Sequence, residues 1–164
     1  MNIYCSYLSN SFGHFQSICN NQKLKQLNWQ RKPFSKNSYD SNFVSRETMI
    51  QLKNYFLKKL KIFEIEIDFS GLTKERKLWI QKIMGIPYGE VWTYSDLARS
   101  WGNVKASRAA GNNCALNLIP IIIPCHRVIG KNTFGKYSGI TDSTTNNKVG
   151  VRYKTKLIEL ERNN

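Results

Sequence analysis

Residues 124 to 128 read Pro-Cys-His-Arg-Val, which sets a thiol, an imidazole and a guanidinium side by side. A thiol is a weak nucleophile until it ionises, and a neighbouring base or cation can lower its pKa to roughly 3.5 to 7.5. Cys125, beside His126 and Arg127, is therefore the candidate nucleophile. The run before it, Ile119-Pro120-Ile121-Ile122-Ile123-Pro124, is apolar and bracketed by prolines that cannot sit inside a helix, so it is expected to deliver the cysteine on a fixed extended segment. Adjacent residues of an extended chain point to opposite sides, so a working Cys125–His126 pair would need a bridging water or a turn. A buried cysteine next to a surface histidine is the alternative.

Elements upstream must hold this thiol against a partner. Thr73 is placed to cap a helix carrying Leu78, Trp79, Ile83 and Met84, which stops at Gly85 and Pro87. After the turn at Pro87-Tyr88-Gly89, Thr93 with Asp96 three residues on forms a capping-box pattern for a second helix, with Leu97, Ala98 and Trp101 on its inner face. Gly102-Asn103 breaks the chain, and Lys105 to Cys114 reads as a further helix, so the whole is a helix-turn-helix. Its second helix offers Lys105, Ser107, Arg108 and Asn112 among Ala106, Ala109, Ala110 and Gly111, small residues that permit close approach to nucleic acid. Arg108 could enter the space vacated by a displaced base or make an ordinary phosphate contact.

Charge points the same way. Lys and Arg outnumber Asp and Glu by 25 to 11 in 164 residues, a net +14 that attracts polyanions and makes binding salt-dependent. A basic but merely solvated surface is the alternative. An apolar fraction of 41% argues against disorder, and no apolar run approaches a membrane span. The N-terminus lacks the pattern of a secretory signal, so a cytoplasmic protein is expected.

Residues 3 to 9 and 12 to 19 suit a β-hairpin, and 20 to 42 one strand with a long loop. Met49, Leu52, Phe56 and Leu60 recur at helical spacing, predicting a helix over 46–60 that starts near Ser45. Ile62 to Phe69 alternates like a half-buried strand. Cys5, His14 and Cys19 could meet across the hairpin as a partial metal site or a disulfide, although a fourth ligand is lacking and ordinary strand residues are the plainer reading.

Taken together, residues 124–128, Ile86-Pro87-Tyr88-Gly89-Glu90-Val91, Thr93-Tyr94, Leu97-Ala98, Ser107-Arg108-Ala109 and Asn117 resemble, in order and spacing, the O6-alkylguanine-DNA alkyltransferase family. The likeness covers about Leu78 to Glu161; the first seventy residues match loosely. It implies an α/β N-terminal domain over 1–72, with a small antiparallel sheet and a ribonuclease-H-like fold. A mostly α domain over 73–164 would follow, carrying the helix-turn-helix in a winged-helix-like arrangement. The implied activity is DNA repair: a flipped O6-alkylguanine, or O4-alkylthymine, in double-stranded DNA gives its alkyl group to Cys125 once, without metal, nucleotide or other cofactor. The protein would act as a monomer.

By the same resemblance His126, acting through water, is the general base. Glu161 orients it, with Glu159 as fallback, because Leu157 and Glu161 share a helix face at i,i+4. Tyr94 would protonate N3 of the leaving guanine. The carbonyls of Cys125 and Val128 would accept from the guanine amino group, and the Ser138 amide would face O6. Tyr137 would close the pocket, Asn117 would brace the turn before the nucleophile, and Cys114 would line the base site where the family often has an apolar side chain. Arg108 would fill the gap in the duplex, flanked by Lys105, Ala106, Ser107 and Ala109. The family docks this motif in the minor groove, which the small residues around Arg108 suit. A polar stretch from Ile140 to Val149 departs from the family pattern and could alter access for bulky alkyl groups.

Two other functions fit parts of the sequence. One is a non-enzymatic lesion sensor or helix-turn-helix regulator, against which the acceptor cysteine counts. The other is a Cys-His hydrolase, which would need turnover and an oxyanion hole.

Overall fold

The computed structural model describes residues 2–35, 39–140 and 147–163. Strands β1 (Tyr4–Asn10), β2 (Gly13–Cys19) and β3 (Leu24–Gln30) form an antiparallel sheet in that order. Helix α1 (Phe43–Phe56) packs across it through Met49, Leu52 and Tyr55. A cap at Ser45 would have started this helix at Arg46, but it starts at Phe43 because Asn42 is the cap. The Asn42 side chain accepts from Ser45 N at 2.9 Å, and Ser45 Oγ accepts from Asn42 N at 3.0 Å. The helix also ends before Leu60, because Lys58 takes a left-handed φ of 60°.

The strand expected over 62–69 is reduced to one parallel bridge between Ile67 and Leu24. Leu24 N donates to Glu66 O and Asp68 N to Leu24 O, both at 2.8 Å. Alternation there reflects sidedness: Ile67 is buried while Ile62 is 77% exposed, and no longer ladder forms among the described residues. Cys5 and Cys19 are free thiols near one end of the hairpin. His14 sits near the other, bonded to Ser9 Oγ at 2.7 Å, so the three do not converge on a metal.

Helix α2 (Lys74–Met84) is capped by Thr73 and ends at Gly85, as the sequence predicts. Strand β4 (Trp92–Thr93) leads into α3 (Tyr94–Ser100), where the Thr93–Asp96 capping box is formed. The second helix of the pair, α4 (Ser107–Ala115), begins two residues later than expected, after a 3-10 turn over Val104–Ala106. Trp101 ends α3 and stacks on Trp79 of α2, with ring centroids 4.6 Å apart. Strand β5 (Val128–Ile129) pairs in parallel with β4, and α5 (Asn147–Arg162) closes the chain.

One continuous apolar core runs from Phe15 and Trp29 on the sheet, through Trp79 and Leu97, to Ile122 and Leu157. Residues 141–146 of the polar stretch lie outside the described residues. Among the described residues no helix is long and apolar enough to cross a membrane.

Candidate functional site

The segment before the nucleophile is a turn where an extended run was expected. Ile121 has a positive φ of 75°, Ile123 N donates to Ile119 O at 2.9 Å, and Cys125–Arg127 form a 3-10 turn. Asn117 fixes this shape. Its Oδ1 accepts from Ile119 N at 3.0 Å, and its Nδ2 donates to Ile123 O at 2.8 Å and to Cys125 Sγ at 3.0 Å. The brace is therefore also a donor to the thiol, which favours the ionised sulfur.

The 3-10 turn carries His126 and Arg127 into a buried cluster around Glu161 of α5. His126 Nε2 lies 2.7 Å from Glu161 Oε1. Arg127 donates through Nε to Oε2 at 2.9 Å and through Nη2 to Oε1 at 3.0 Å. The Gly89 amide adds a bond to Oε2 at 3.0 Å, and the Tyr55 hydroxyl one to Oε1 at 2.7 Å. Gly89 can aim its amide this way because it holds a φ of 81° in the turn closed by Glu90 N to Pro87 O. Glu159 is exposed and takes no part.

Burial alone would push the Glu161 carboxyl up, but hydrogen bonds and charge from His126 and Arg127 outweigh it and hold the group well below the usual carboxylate range. Burial pushes His126 down, against the pull of Glu161. With Arg127 already balancing the carboxylate, the imidazole is neutral and donates Nε2–H to Glu161. That leaves Nδ1 as the lone-pair acceptor, buried and with no partner among the described residues. Arg127, close to Cys125 in sequence, is ion-paired with Glu161. Burial raises the Cys125 thiol; Asn117, Lys154 and Arg76 act in the opposite direction.

A cavity of about 400 Å³ opens beside the sulfur, within the range of small-molecule sites. Tyr94, Gly111, Asn112, Cys114, Ala115, Cys125, Lys136, Tyr137 and Ser138 line it. The β4–β5 pairing, Trp92 with Val128 and Thr93 with Ile129, brings the start of α3 and hence Tyr94 to the cavity that Cys125 lines. Burial raises the Tyr94 phenol to about 12, so it is protonated and able to donate. Gly135 makes room for it: a Cβ there would lie 2.9 Å from the Tyr94 hydroxyl, and its φ is 68°. Ser138 is exposed and its Oγ donates to Ala115 O at 3.0 Å. Tyr137 is buried, and its hydroxyl has no partner among the described residues. Val128 is fully buried, donates its amide to Cys125 O, and does not line the cavity.

Arg108 is exposed on α4 and shares a helix face with Gly111, Asn112 and Ala115 at i+3, i+4 and i+7, so it stands one turn from the cavity mouth. Lys105 is exposed in the preceding 3-10 turn, with Ala106, Ser107 and Ala109 half-buried beside it. Ser107 Oγ lies 3.3 Å from Ser95 Oγ of α3. Arg76 of α2 donates to Asn113 O at 2.7 Å and ties α2 to the end of α4.

Sequence reasoning missed Tyr55, Gly135 and Lys154. The lysine had a signal: positions 154, 157, 158 and 161 fall on one face of α5, and all four are buried.

Residues 75–163 match the family described as 6-O-methylguanine DNA methyltransferase, DNA binding domain. The chain is 38% identical over 120 residues to a probable methylated-DNA–protein-cysteine methyltransferase of Acanthamoeba polyphaga mimivirus, covering 73% of each. It is 34% identical over 150 residues to the methylated-DNA–protein-cysteine methyltransferase of Mycobacterium leprae, covering 92% of this chain and 83% of that one. Among solved structures, Mycobacterium tuberculosis OGT in complex with DNA superposes with a TM-score of 0.79 at 28% identity, over 98% of this chain and 93% of that one.

Proposed function

The chain belongs to the methylated-DNA–protein-cysteine methyltransferase family, and from that premise we propose that Cys125 is its alkyl acceptor and that the Glu161–His126 pair removes the thiol proton. The activity is DNA repair by transfer of an alkyl group from the damaged base to the protein's own cysteine, once per polypeptide. The observation that carries the residue assignment is the cavity: of the two thiols on its wall, Cys125 takes the Asn117 hydrogen bond and precedes His126, with Tyr94 and the rim of α4 beside it.

In this reading an O6-alkylguanine, or O4-alkylthymine, leaves the duplex and enters the cavity, and Arg108 fills the gap it leaves. No atom of the described residues hydrogen-bonds His126 Nδ1, so the proton of Cys125 reaches it across one water. The thiolate attacks the alkyl carbon: the S–C bond forms, the C–O6 bond breaks, and its electron pair stays with the guanine. Tyr94 gives its proton to N3 as that charge develops. The Ser138 amide and the Cys125 carbonyl hold the base edge, and Tyr137 and Cys114 close around it; Val128, outside the cavity lining, supports the Cys125 carbonyl through its amide instead. The thioether has no group that water can readily displace, so the acceptor is not regenerated.

Residues 1–72 form a supporting ribonuclease-H-like domain in this reading, and 73–164 a winged-helix-like one that binds double-stranded DNA as a monomer. The four free cysteines suit the reducing cytoplasm. The test is incubation with a duplex carrying one O6-methylguanine, followed by intact-mass measurement. A gain of one methyl per chain, abolished in Cys125→Ser, supports the assignment. Transfer that survives in Cys125→Ser, or repeated turnover, rules it out.

A further inference from the structure

A buried cation packs against Tyr94 and Lys136, which line the same cavity as the acceptor thiol, and no carboxylate is paired to it among the described residues. Lys154 lies on the inner face of α5, two turns before Glu161, and is 1% exposed. Its Nζ reaches Lys136 O at 3.4 Å and stands 5.8 Å from the centre of the Tyr94 ring, and neither partner carries an anionic charge. Removing an ammonium from water without a counter-ion is unfavourable, so an anion that forms next to it relieves the cost and is itself stabilised.

The neighbouring groups decide which anion that is. Glu161 is engaged by Arg127 and His126. From α3 and the loop before α5, Tyr94 and Tyr137 are phenols whose burial keeps them protonated. From α4, Cys114 is driven far up by burial and by Cys125. Arg76 of α2 is a second cation, but it is tied to Asn113. Burial raises Cys125 as well, but Asn117 already donates to its sulfur, a hydrogen bond that favours the anion there. Burial lowers Lys154 to about 8 while the two thiols pull it back up, as expected of a base facing an incipient anion.

We propose that Lys154 is the counter-charge of the Cys125 thiolate, a positioning residue that acts through the sulfur and fixes the pH at which it becomes nucleophilic. Division of labour follows: the Glu161–His126 pair carries the proton away, and Lys154 stabilises the charge that remains. The proposal rests on Cys125 as the acceptor.

The test is the pH dependence of Cys125 alkylation by iodoacetamide, read by peptide mass mapping so that Cys114 is scored separately. Sulfur displaces iodide without DNA, so this readout stands whether or not methyl transfer occurs. In Lys154→Met the midpoint of the rate profile rises by about one pH unit or more, and the rate at neutral pH falls roughly tenfold. Lys154→Arg, which keeps the charge, stays within about threefold of the parent. An unmoved midpoint in folded Lys154→Met overturns the proposal. Lys154→Gln, scored the same way, decides the matter if the methionine variant does not fold. A shifted profile in a protein that transfers no methyl from duplex DNA would leave this inference standing and remove the repair role of Cys125.

Discussion

The 2.7 Å contact between His126 Nε2 and Glu161 Oε1 determines which imidazole nitrogen can act as a base. Because Nε2 is the donor, Nδ1 is left to accept, and it has no partner among the described residues. The carboxylate is held in turn by Arg127, Gly89 and Tyr55, so the tautomer is set by a network that spans the chain from α1 to α5.

Glu161→Gln tests that network. A carboxamide carries no charge for Arg127 and does not enforce the donor role of Nε2. Single-turnover methyl transfer is expected to slow by about 10²-fold or more. Because a buried ion pair is broken, stability in urea falls by about 3 kcal/mol. Unchanged transfer in a folded variant would remove His126 as the base.

Tyr55→Phe removes one donor and leaves the others. Stability is expected to fall by about 1.5 to 3 kcal/mol, the usual worth of a hydrogen bond to a charged group. Transfer should slow much less than in Glu161→Gln, and equal losses in the two variants would make Tyr55 part of the proton path.

Gly135→Ala places a methyl group against the Tyr94 hydroxyl at a backbone conformation alanine rarely adopts. Transfer from duplex DNA is expected to fall more than iodoacetamide alkylation of Cys125, since in the proposed mechanism the phenol serves the leaving base. Equal effects on both reactions would show a general collapse of the cavity.

Arg108→Ala should weaken repair of duplex DNA while leaving transfer from the free alkylated base nearly unchanged. The side chain is exposed and one helical turn from the cavity mouth, so its removal does not disturb the thiol. Parallel losses on both substrates would end its role in base extrusion.

Two buried groups give stability opposite limits. Glu161 is held below its ordinary pKa, so its contribution is full above about pH 4.3 and is lost as the pH falls below that. Lys154 is lowered to about 8 from 10.5, so its charged form opposes folding at neutral pH, and stability recovers as the pH rises between those values. The penalty is on the order of 3 kcal/mol. Thermal melts of Lys154→Met are expected to lack this alkaline rise, and a rise that persists would assign it to another group.

The helix-turn-helix was legible from local patterns. Thr73, Thr93 and Asp96 cap where their spacing predicts, and the apolar faces of α2 and α3 follow helical periodicity. The nucleophile's setting was legible only as a set of residue types. Whether Cys125 and His126 face each other depends on a 3-10 turn held by Asn117 and a left-handed Ile121, and proline spacing suggested an extended segment instead. Tyr55 was illegible for another reason: its partner lies 106 residues away, and no periodicity reports such a contact. Lys154 was hidden by company, since α5 also carries Lys148 and Lys156, and only its place on the apolar stripe sets it apart.

The Tyr55–Glu161 bond bears on how interchangeable the two halves of the chain are. The segment matched by the family begins at residue 75, yet the carboxylate that orients its histidine takes a hydrogen bond from a phenol outside that segment. A chimera that grafts residues 75–163 onto a relative's amino-terminal half would therefore inherit the thiol and most of the carboxylate's donors, but not the one from Tyr55. Swapping halves between homologues should cost stability, more than activity, where the incoming helix presents no hydroxyl at the position of Tyr55.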